Sequence, residues 1–420
     1  MKEGSLWRHA DFLRLWVGQT ISQLGSVVTR TAIPLVAILL LSAGPAELGI
    51  LTVAASAGTL LVGLFAGVQA DRMRRRPILI ISDFLRAALL FAIPIAWIVG
   101  VLRVELLYVV AFLAAVLGAF FDVAYRAYLP SLVGRERIVE GNAKLGVSEA
   151  IAEIGAPALA GAIVQLFSAV AAIVVDAASF VASAISLLLI RTPEPPPAPR
   201  RERSAWDEIA EGLQTVWRDP YLRATAGFDV TSFFFGSFYG VLYSLYALRD
   251  LGLSPFILGV AISLGGVGSL AGAALAGPAV RRLGIGPAIV RLSLAAVPLS
   301  FLTPLAFGPP ALAAVFLFIP QLIGDGLATI EGIAIVSLRQ TVTPDALLGR
   351  VNATVHVLLE GIAPLGALLG AALALAYGTR ETLFIAACGM VLARGWLLFS
   401  PLESFRSAGT PSLGSAADSR

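Results

Sequence analysis

The chain has 420 residues, of which 58% are hydrophobic and 14% charged, and its mean hydropathy is +0.87. Soluble globular proteins carry about 25% charged residues, so this composition excludes a soluble enzyme, a nucleic-acid-binding protein and a disordered protein. The single cysteine, Cys388, excludes an intrachain disulfide, and the net charge of +3 indicates an acidic partner only if the positive charges share one surface.

Twelve apolar segments follow one another along the chain. A helix needs about 20 mainly apolar residues to cross a bilayer, and we divided the chain at its charged residues, prolines and glycines. The divisions at 168/169 and 308/309 carry no charge and rest on length alone. We expect no signal peptide before the first segment, which is too long for one. The predicted spans are 13–41, 47–69, 77–102, 104–130, 143–168, 169–191, 221–248, 256–280, 287–308, 310–338, 351–378 and 380–402.

One long polar break, residues 192–220, separates the sixth span from the seventh. It opens with a proline-rich stretch that is typical of a stiff extended tract. Apolar residues then recur at helical spacing, which predicts a short amphipathic helix at the membrane interface, and the alternative is a solvated linker. These residues are Trp206, Ile209, Leu213 and Trp217. The break predicts two bundles, 1–191 and 221–402, and the small polar residues 403–420 predict a disordered tail.

The Lys and Arg residues predict the orientation in the membrane. Only Arg103, Arg249 and Arg380 fall between spans on one side, and four further arginines lie inside spans. All the other Lys and Arg residues fall on the side of the chain ends. The positive-inside rule therefore predicts a multi-pass protein of the inner cell membrane with both termini in the cytoplasm. The net positive charge then reflects this cytoplasmic layer, so we expect no nucleic-acid partner.

A sequence repeat relates the two sets of six spans. GVQADRMR begins at Gly67 after the second span, and GPAVRRLG begins at Gly277 after the eighth, about 210 residues later. Glu153 and Glu360 occupy similar segments further along each set. Two like sets of helices related by duplication are typical of secondary transporters. We therefore predict an all-α membrane protein with twelve transmembrane helices in two pseudo-symmetric six-helix bundles.

The loop after the second span carries the motif GVQADRMRRRP, whose key residues are Gly67, Asp71, Arg72, Arg75 and Arg76. This motif resembles the loop between helices two and three of the major facilitator superfamily, although Arg74 stands where the family usually has Gly. The stretches FLRLWVGQTISQLG and FFDVAYRAYLPSLVGRERIVEGNAKLG look like the branch that contains enterobactin exporters and macrolide efflux proteins. The resemblance covers about residues 10–400 and implies the fold of the family.

The resemblance also implies a gating role for this loop. Asp71 is at the cytoplasmic end of its helix and can cap the N-terminus of the eleventh helix, which opens near Arg350. Such a cap forms only while the cytoplasmic side is closed. The alternative is that the arginines only fix the topology and contact anionic lipid. Arg281 replaces the aspartate in the second half, so the cap is expected on one side only.

Charged residues inside the spans are candidate functional groups, because each costs at least about 2.5 kcal/mol to insert. Asp83 and Arg86, and Asp122 and Arg126, have spacings that allow each pair to neutralise itself on one helix face. Two acidic residues at i, i+4 instead repel each other, so one of them can bind a proton near neutral pH. The proton-coupling candidates are therefore Glu149 and Glu153, with His356 and Glu360 at the same spacing in the second half. A structural pairing of Glu153 or Glu360 with Arg126 or Arg339 is the alternative.

The resemblance implies that helices one, four, seven and ten line the substrate cavity. Acidic groups beside aromatic rings suit bulky, often cationic compounds, whereas lipid contact and helix packing are the alternative role for the aromatics. The candidate cavity residues are Gln19, Gln23, Arg30, Asp122, Arg126, Asp229, Phe233, Phe234, Tyr239, Asp325 and Glu331.

Glycines in the eighth span imitate a dinucleotide motif, but no strand precedes them. Gly268 and Gly272 predict instead a face on which a second helix packs closely. No nucleotide-binding loop and no Cys/His cluster occurs, so we expect no cofactor, no metal and no ATP hydrolysis. His356 is the only histidine besides His9, which leaves a membrane-embedded enzyme without a positioned base.

These observations predict a monomeric, proton-coupled exporter of amphipathic small molecules that works by alternating access, with membrane lipid as its surroundings. A siderophore exporter is a second hypothesis and would use Arg30 and Arg126 to hold an anionic cargo. A lysophospholipid flippase is a third and would need a cavity that opens sideways to lipid.

Overall fold

The computed structural model describes residues 5–70, 74–194 and 205–405. Within these residues the chain forms helices and no β-strand, since backbone groups in a bilayer have no water and must pair within their own helix. The helices are α1 (Ala10–Leu40), α2 (Pro45–Ala70), α3 (Arg75–Ile98), α4 (Val104–Val133), α5 (Ile138–Leu166), α6 (Ala169–Leu188), α7 (Ala205–Arg218), α8 (Pro220–Leu245), α9 (Pro255–Leu283), α10 (Ile285–Ala295), α11 (Val297–Leu302), α12 (Pro310–Ile319), α13 (Asp325–Val342), α14 (Asp345–Tyr377), α15 (Thr379–Ala393) and α16 (Gly395–Leu398).

The helices occupy all twelve predicted spans. Ten helical segments of the described chain are long and apolar enough to cross a membrane, and α2 contributes a shorter apolar stretch, Pro45–Leu61. The seventh span is α8, which has 26 residues and carries Arg223 and Asp229. Three spans of the second half are interrupted: α10 continues into α11, α12 into α13, and α15 into α16. The uncharged division at 168/169 is confirmed, because the Ser168 hydroxyl caps α6 by accepting the Ala171 N–H.

The pattern of helix contacts repeats between the two halves. In the first half α1 packs on α5 and α6, α2 on α4, and α3 on α4. In the second half the equivalent helices make the equivalent contacts: α8 packs on α14 and α15, α9 on α13, and α10 on α13. The predicted all-α membrane fold with two pseudo-symmetric halves is confirmed, and the described helices are consistent with six spans in each half.

The halves contact each other where α5 crosses α9 and where α2 crosses α14. Glycines allow the first crossing to be very close. A Cβ atom on Gly161 would collide with the carbonyl oxygen of Pro255, and one on Gly259 would collide with that of Pro157. The helix backbones therefore touch directly, as is common between membrane helices.

The buried apolar cores show which end of the molecule is closed. At the end opposite the chain termini, one core combines both halves and includes Leu35 of α1, Ala160 of α5 and Leu242 of α8. At the end that carries the termini, the first half has its own core around Tyr128, and the second half has another around Leu338. The molecule is therefore sealed at one end and separated into two halves at the end of the termini.

The structure has a helix, α7, where the spacing of apolar residues in the polar break predicts one. Gly212 lies against the backbone of Arg350 on α14, and the Arg350 Nη1 atom is 2.5 Å from the Glu211 Oε1 atom. Two apolar side chains on another face, Leu213 and Trp217, are 44% and 63% exposed. The predicted proline-rich tract from residue 195 and the predicted tail from residue 406 lie outside the described residues.

Candidate functional site

A cavity of about 400 Å³ lies between the halves, and we call it the inter-half cavity. Its first wall is one face of α5, and its second wall is formed by α9 and the tenth span. An acidic residue from each half faces it: Glu153 from the first half and Asp325 from the second. The lining residues are Ala150, Glu153, Ile154, Ile262, Gly265, Gly266, Ser269, Leu270, Gln321 and Asp325.

A second cavity of about 480 Å³ lies within the second half and is adjacent, because both cavities are lined by Ile262, Gln321 and Asp325. We call it the tyrosine cavity, since Tyr239 and Tyr243 form part of its wall. The Tyr239 hydroxyl donates a hydrogen bond of 2.7 Å to the carbonyl oxygen of Ser300, which fixes the ring orientation. The pair of cavities thus combines two carboxylates, an amide, hydroxyl groups and aromatic faces.

A local distortion of the tenth span positions Asp325. Pro320 lacks a backbone N–H, and the chain from Pro320 to Gly324 widens into a π-helical turn between α12 and α13. Such turns are frequent at functional sites. Gly265 on the facing helix has no side chain, and a Cβ atom there would collide with the Asp325 carboxylate and lie 2.8 Å from the Gln321 Oε1 atom. The turn and this glycine together let both polar side chains reach the cavities.

Glu153 is held by an arginine of the first helix. The Arg30 Nη2 atom donates to both carboxylate oxygens of Glu153, at 2.7 and 2.6 Å. Both side chains are partly exposed, so the pair is reached by water. The alternative considered from the sequence was a structural ion pair of Glu153 with Arg126 or Arg339. In the structure the partner of Glu153 is Arg30.

Five candidate residues meet in a third cavity of about 260 Å³ in the first half, which we call the polar cavity: Gln19, Gln23, Asp122, Arg126 and Glu149. Asp122 and Arg126, which the sequence places at a spacing that allows mutual neutralisation, line the same cavity, but the charged groups of these two described side chains do not come within 4.0 Å of each other. Both are exposed to the cavity, and an exposed ion pair gains little over separate hydration.

The other predicted pair, Asp83 and Arg86, is confirmed. The Arg86 Nη2 atom lies 2.6 Å from the Asp83 Oδ1 atom, and both side chains are buried. The guanidinium group also lies 4.5 Å from the ring centre of Phe121 and 4.2 Å from that of Phe180. Asp83 and Arg86 therefore stabilise each other inside the first half, and their charges need no functional role to explain them.

Several candidate cavity residues lie inside the second half and away from the three cavities. Asp229 faces Arg339, with 3.4 Å between the Oδ2 and Nη2 atoms. Glu331 is 7% exposed, and its Oε1 atom has no hydrogen-bond partner among the described residues. Phe233 is exposed, and Phe234 packs against Phe235 and Phe238. Of the three candidate aromatics, Phe233, Phe234 and Tyr239, only Tyr239 lines one of the three cavities.

The remaining proton-coupling candidates are on α14. His356 is exposed and Glu360 is partly exposed, and neither lines one of the three cavities. The sequence places Glu153 and Glu360 at matching positions of the repeat, but only Glu153 faces the inter-half cavity.

Part of the loop motif GVQADRMRRRP contacts the end of the sixth span. Asp71 and Arg72 lie outside the described residues, and Gly67 lies within α2. The backbone N–H groups of Arg75 and Arg76 donate to the Glu194 carboxylate, at 2.6 and 3.1 Å. The Arg76 side chain donates to the carbonyl oxygens of Leu187 and Leu188. These two arginines therefore anchor the start of α3 within the first half.

Three residues with clear roles are absent from the sequence-based candidates: Gln321, Glu194 and Arg394. Pro320 lies inside an apolar span and could have indicated Gln321, because a proline distorts the helix around it and Gln321 is the next residue. Arg394 donates through Nε to the carbonyl oxygen of Ser293 at 2.9 Å and also borders the tyrosine cavity. Glu194 follows the sixth span in the polar break, and nothing in its local sequence indicates its contact with α3.

Comparisons with known proteins agree with this architecture. The chain is 32% identical over 371 residues to the multidrug efflux pump Tap of Mycolicibacterium fortuitum, an alignment that covers 83% of this chain and 87% of that protein. It is 26% identical over 197 residues to macrolide efflux protein A of Streptococcus pyogenes, covering 46% and 47% of the two chains. The inward-facing crystal structure of a bacterial homologue of the iron transporter ferroportin superposes with a TM-score of 0.74 at 19% identity, covering 96% of this chain and all of that one.

The match to the family profile covers most of the chain. Residues 15–363 match the Major Facilitator Superfamily, and this stretch includes ten of the predicted spans and the start of the eleventh. The resemblance inferred from the loop motif is thereby confirmed, and macrolide efflux proteins are among the matched relatives. With its repeated contact pattern, its cavity between the halves and these relatives, the chain belongs to the Major Facilitator Superfamily of membrane transporters.

Proposed function

We propose that this transporter exports amphipathic small molecules, including lipophilic cations, in exchange for protons. The observation that carries the proposal is the inter-half cavity, which is continuous in its lining with the tyrosine cavity through Ile262, Gln321 and Asp325. A carboxylate beside aromatic faces attracts a cation that also has apolar surface. The printed names of the relatives, a multidrug efflux pump and a macrolide efflux protein, support the same substrate class.

The cavity loads from the cytoplasm in this proposal. The molecule is separated into two halves at the end of the chain termini, and the Lys and Arg residues concentrate at that end. The positive-inside rule favours this end as the cytoplasmic one, in the inner cell membrane. Each copy contains both halves and a complete cavity, so we infer that the transporter works as a monomer.

The pair of Arg30 and Glu153 is the proposed coupling element. Among the proton-coupling candidates, Glu153 is the described residue that both lines the inter-half cavity and forms an ion pair with an arginine. A proton on Glu153 removes its attraction to Arg30, and release of that proton restores it. A cationic cargo molecule and a proton would thus compete for the acidic residues of the inter-half cavity, Glu153 and Asp325. Such competition is what the exchange of cargo for protons requires. Glu149, Glu360 and His356 remain secondary proposals.

Switching between the two open states requires the halves to rock about their closest contacts. The glycine crossing of α5 and α9 suits this role, because backbones without intervening side chains can tilt with little obstruction. The capping of α14 by Asp71 belongs to the opposite state, closed at the cytoplasmic end, and stays a prediction.

A siderophore exporter is less well supported. Its anionic cargo would need a free cationic anchor, but Arg30 is engaged by Glu153. Arg126 shares the polar cavity with Asp122 and Glu149. The local excess of acidic groups would repel an anion.

Transport assays with purified protein in proteoliposomes test the proposal. Wild-type protein should drive accumulation of a lipophilic cation when a proton gradient is imposed, and collapse of the gradient should stop it. Glu153→Gln should retain cation binding but lose the pH dependence of transport, and Asp325→Asn should weaken binding of the cation about tenfold, the loss of roughly one charge-assisted contact.

Glu105→Gln is the matched control, since Glu105 is exposed and lies outside the three cavities. If transport by Glu153→Gln keeps the wild-type pH dependence, Glu153 is not the coupling residue. If wild-type protein moves a lysophospholipid or a siderophore and not the cation, the proposed substrate class is wrong.

A further inference from the structure

A groove of about 460 Å³ lies on the outer face of the second half, at the end that carries the chain termini. It is formed by the start of α8 and by the chain from α15 to Pro401. None of its residues lines the other three cavities. We propose that this groove binds the headgroup of an anionic phospholipid from the cytoplasmic leaflet. Its lining includes Arg223, Ala224, Leu392, Trp396, Phe399 and Ser400.

The groove stands at the level expected for lipid headgroups. It borders the first turn of α8 and the last turns of the twelfth span, where the chain leaves the membrane. Two tryptophans flank it: Trp396 lines it, and Trp217 contacts Arg223 from the end of α7. Tryptophan is enriched at the membrane–water interface because its ring is apolar and its N–H is polar. Because Leu213 and Trp217 are exposed on one face of α7, the proposal places α7 on the headgroup layer beside the groove.

Arg223 supplies the charge that a phosphate requires. Its Nη1 atom donates to the carbonyl oxygen of Trp217 at 3.3 Å, and the guanidinium carbon lies 6.0 Å from the centre of the Trp217 ring. Among the described residues, no carboxylate oxygen lies within 4.0 Å of this guanidinium group, and Arg223 is exposed. Guanidinium groups bind phosphate oxygens through two parallel hydrogen bonds. The Ser400 side chain lies in the same groove, where its hydroxyl donates to the carbonyl oxygen of Leu397 at 2.6 Å.

Apolar side chains continue from the charged end of the groove. Phe399 is 95% exposed and Leu392 is 73% exposed. The Trp396 ring is fixed in place, because its Nε1 atom donates to the Thr231 hydroxyl and Gly227 leaves room for the indole. A surface with a fixed cation at one end and a broad apolar strip at the other matches a phospholipid, with the phosphate on Arg223 and an acyl chain along Phe399 and Leu392.

Such a lipid would contact three elements of the structure. Arg223 is on α8, Trp217 is on α7, and Phe399 follows α16. The lipid therefore ties the interfacial helix to the second half, on the side away from the substrate cavities. Removal of Arg223 should consequently weaken lipid retention without removing the cargo site.

Native mass spectrometry of the purified full-length protein tests this inference. The protein is released from detergent after incubation with phosphatidylglycerol or with phosphatidylcholine of the same acyl chains. We expect one molecule of phosphatidylglycerol to be retained in preference to phosphatidylcholine, and Arg223→Gln to lower that retention about tenfold, as expected for the loss of charged hydrogen bonds. Phe399→Ala should lower the retention of both lipids.

The matched control is Arg218→Gln, because Arg218 is exposed at the end of α7 and does not line the groove. Equal losses in Arg223→Gln and Arg218→Gln would overturn the site in favour of a diffuse surface charge. Equal retention of the two lipids by wild-type protein would also overturn it. Inorganic phosphate is the last arm: if it displaces the lipid at millimolar concentration, the groove is a phosphate site and not a phospholipid site.

Discussion

Gly265 determines how far the carboxylate of Asp325 reaches into the two adjoining cavities. Its neighbours on the facing helix, Asp325 and Gln321, occupy the space that a Cβ atom would need. No local pattern around Asp325 shows this, since the contact joins two helices that are far apart in the sequence. The same is true of Glu153, whose partner Arg30 is 123 residues away. Residue-scale chemistry in this protein is therefore set by packing between helices.

Gly265→Ala tests the spatial argument. Alanine is favoured over glycine within helices by about 1 kcal/mol, which offsets the cost of displacing the ends of the Asp325 and Gln321 side chains, so the melting temperature should stay close to that of wild type. The displaced Asp325 carboxylate should nevertheless lower cation transport several-fold. The measurement is transport in proteoliposomes together with the melting temperature.

Gly146→Ala is its control, because no atom outside its own helix lies within 4 Å of the position of the added Cβ atom. Unchanged transport by Gly265→Ala would show that the position of Asp325 is not critical.

Helices were the most predictable feature of the molecule. Apolar length and helix-ending residues define each span locally, so the twelve predicted spans agree with the structure. The interruptions were not predicted, although Pro320 signals one of them. The prediction of a packing face on α9 is confirmed, since Cβ atoms on Gly268 and Gly272 would collide with the carbonyl oxygens of Leu322 and Gly326. The spacing of the small residues can be seen within α9 itself. Which helix packs against them depends on the whole fold and cannot be predicted from this segment.

Gly268→Val should destabilise the second half at the crossing of α9 with the tenth span. Forcing extra carbon atoms into a closely packed contact costs about 1–3 kcal/mol, so the melting temperature should fall. Thermal unfolding in detergent measures the effect. Gly118→Val is the comparison, because its added Cβ atom meets no neighbouring atom within 4 Å. Equal melting temperatures for the two variants would contradict the close crossing.

At the scale of the whole molecule, the closed end is maintained by contacts between the halves. Besides the shared apolar core, the Arg249 Nη2 atom donates to the carbonyl oxygen of Ile38 on α1 at 3.2 Å. The sequence predicted two halves from its repeat and an orientation from its charges. It did not predict which end is closed, because that depends on the balance between contacts at the two ends.

Arg249→Ala should shift the population toward the state that is open at this end. The variant loses a charged hydrogen bond worth about 1.5–3 kcal/mol that joins the two halves in the closed state. The measurement is labelling of Ser269→Cys, a position in the inter-half cavity, by an impermeant thiol reagent added from the outside, in a Cys388→Ser background. Labelling should be faster in Arg249→Ala.

Arg103→Ala provides the comparison. Arg103 is an exposed arginine on the same side, and no hydrogen bond of its side chain occurs among the described residues. If Arg103→Ala accelerates labelling as much as Arg249→Ala does, the contact with Ile38 does not hold the closed end.

The single apolar core at the sealed end has a thermodynamic consequence. Opening that end wets side chains such as Leu35 and Leu242, which are fully buried in this state. Exposure of apolar surface to water carries a positive change in heat capacity. The free-energy difference between the two open states therefore curves with temperature according to the difference between the apolar area wetted at this end and the apolar area buried as the end of the termini closes. Where the two areas differ, cooling or warming the membrane changes the resting bias of the transporter even when no cargo is present.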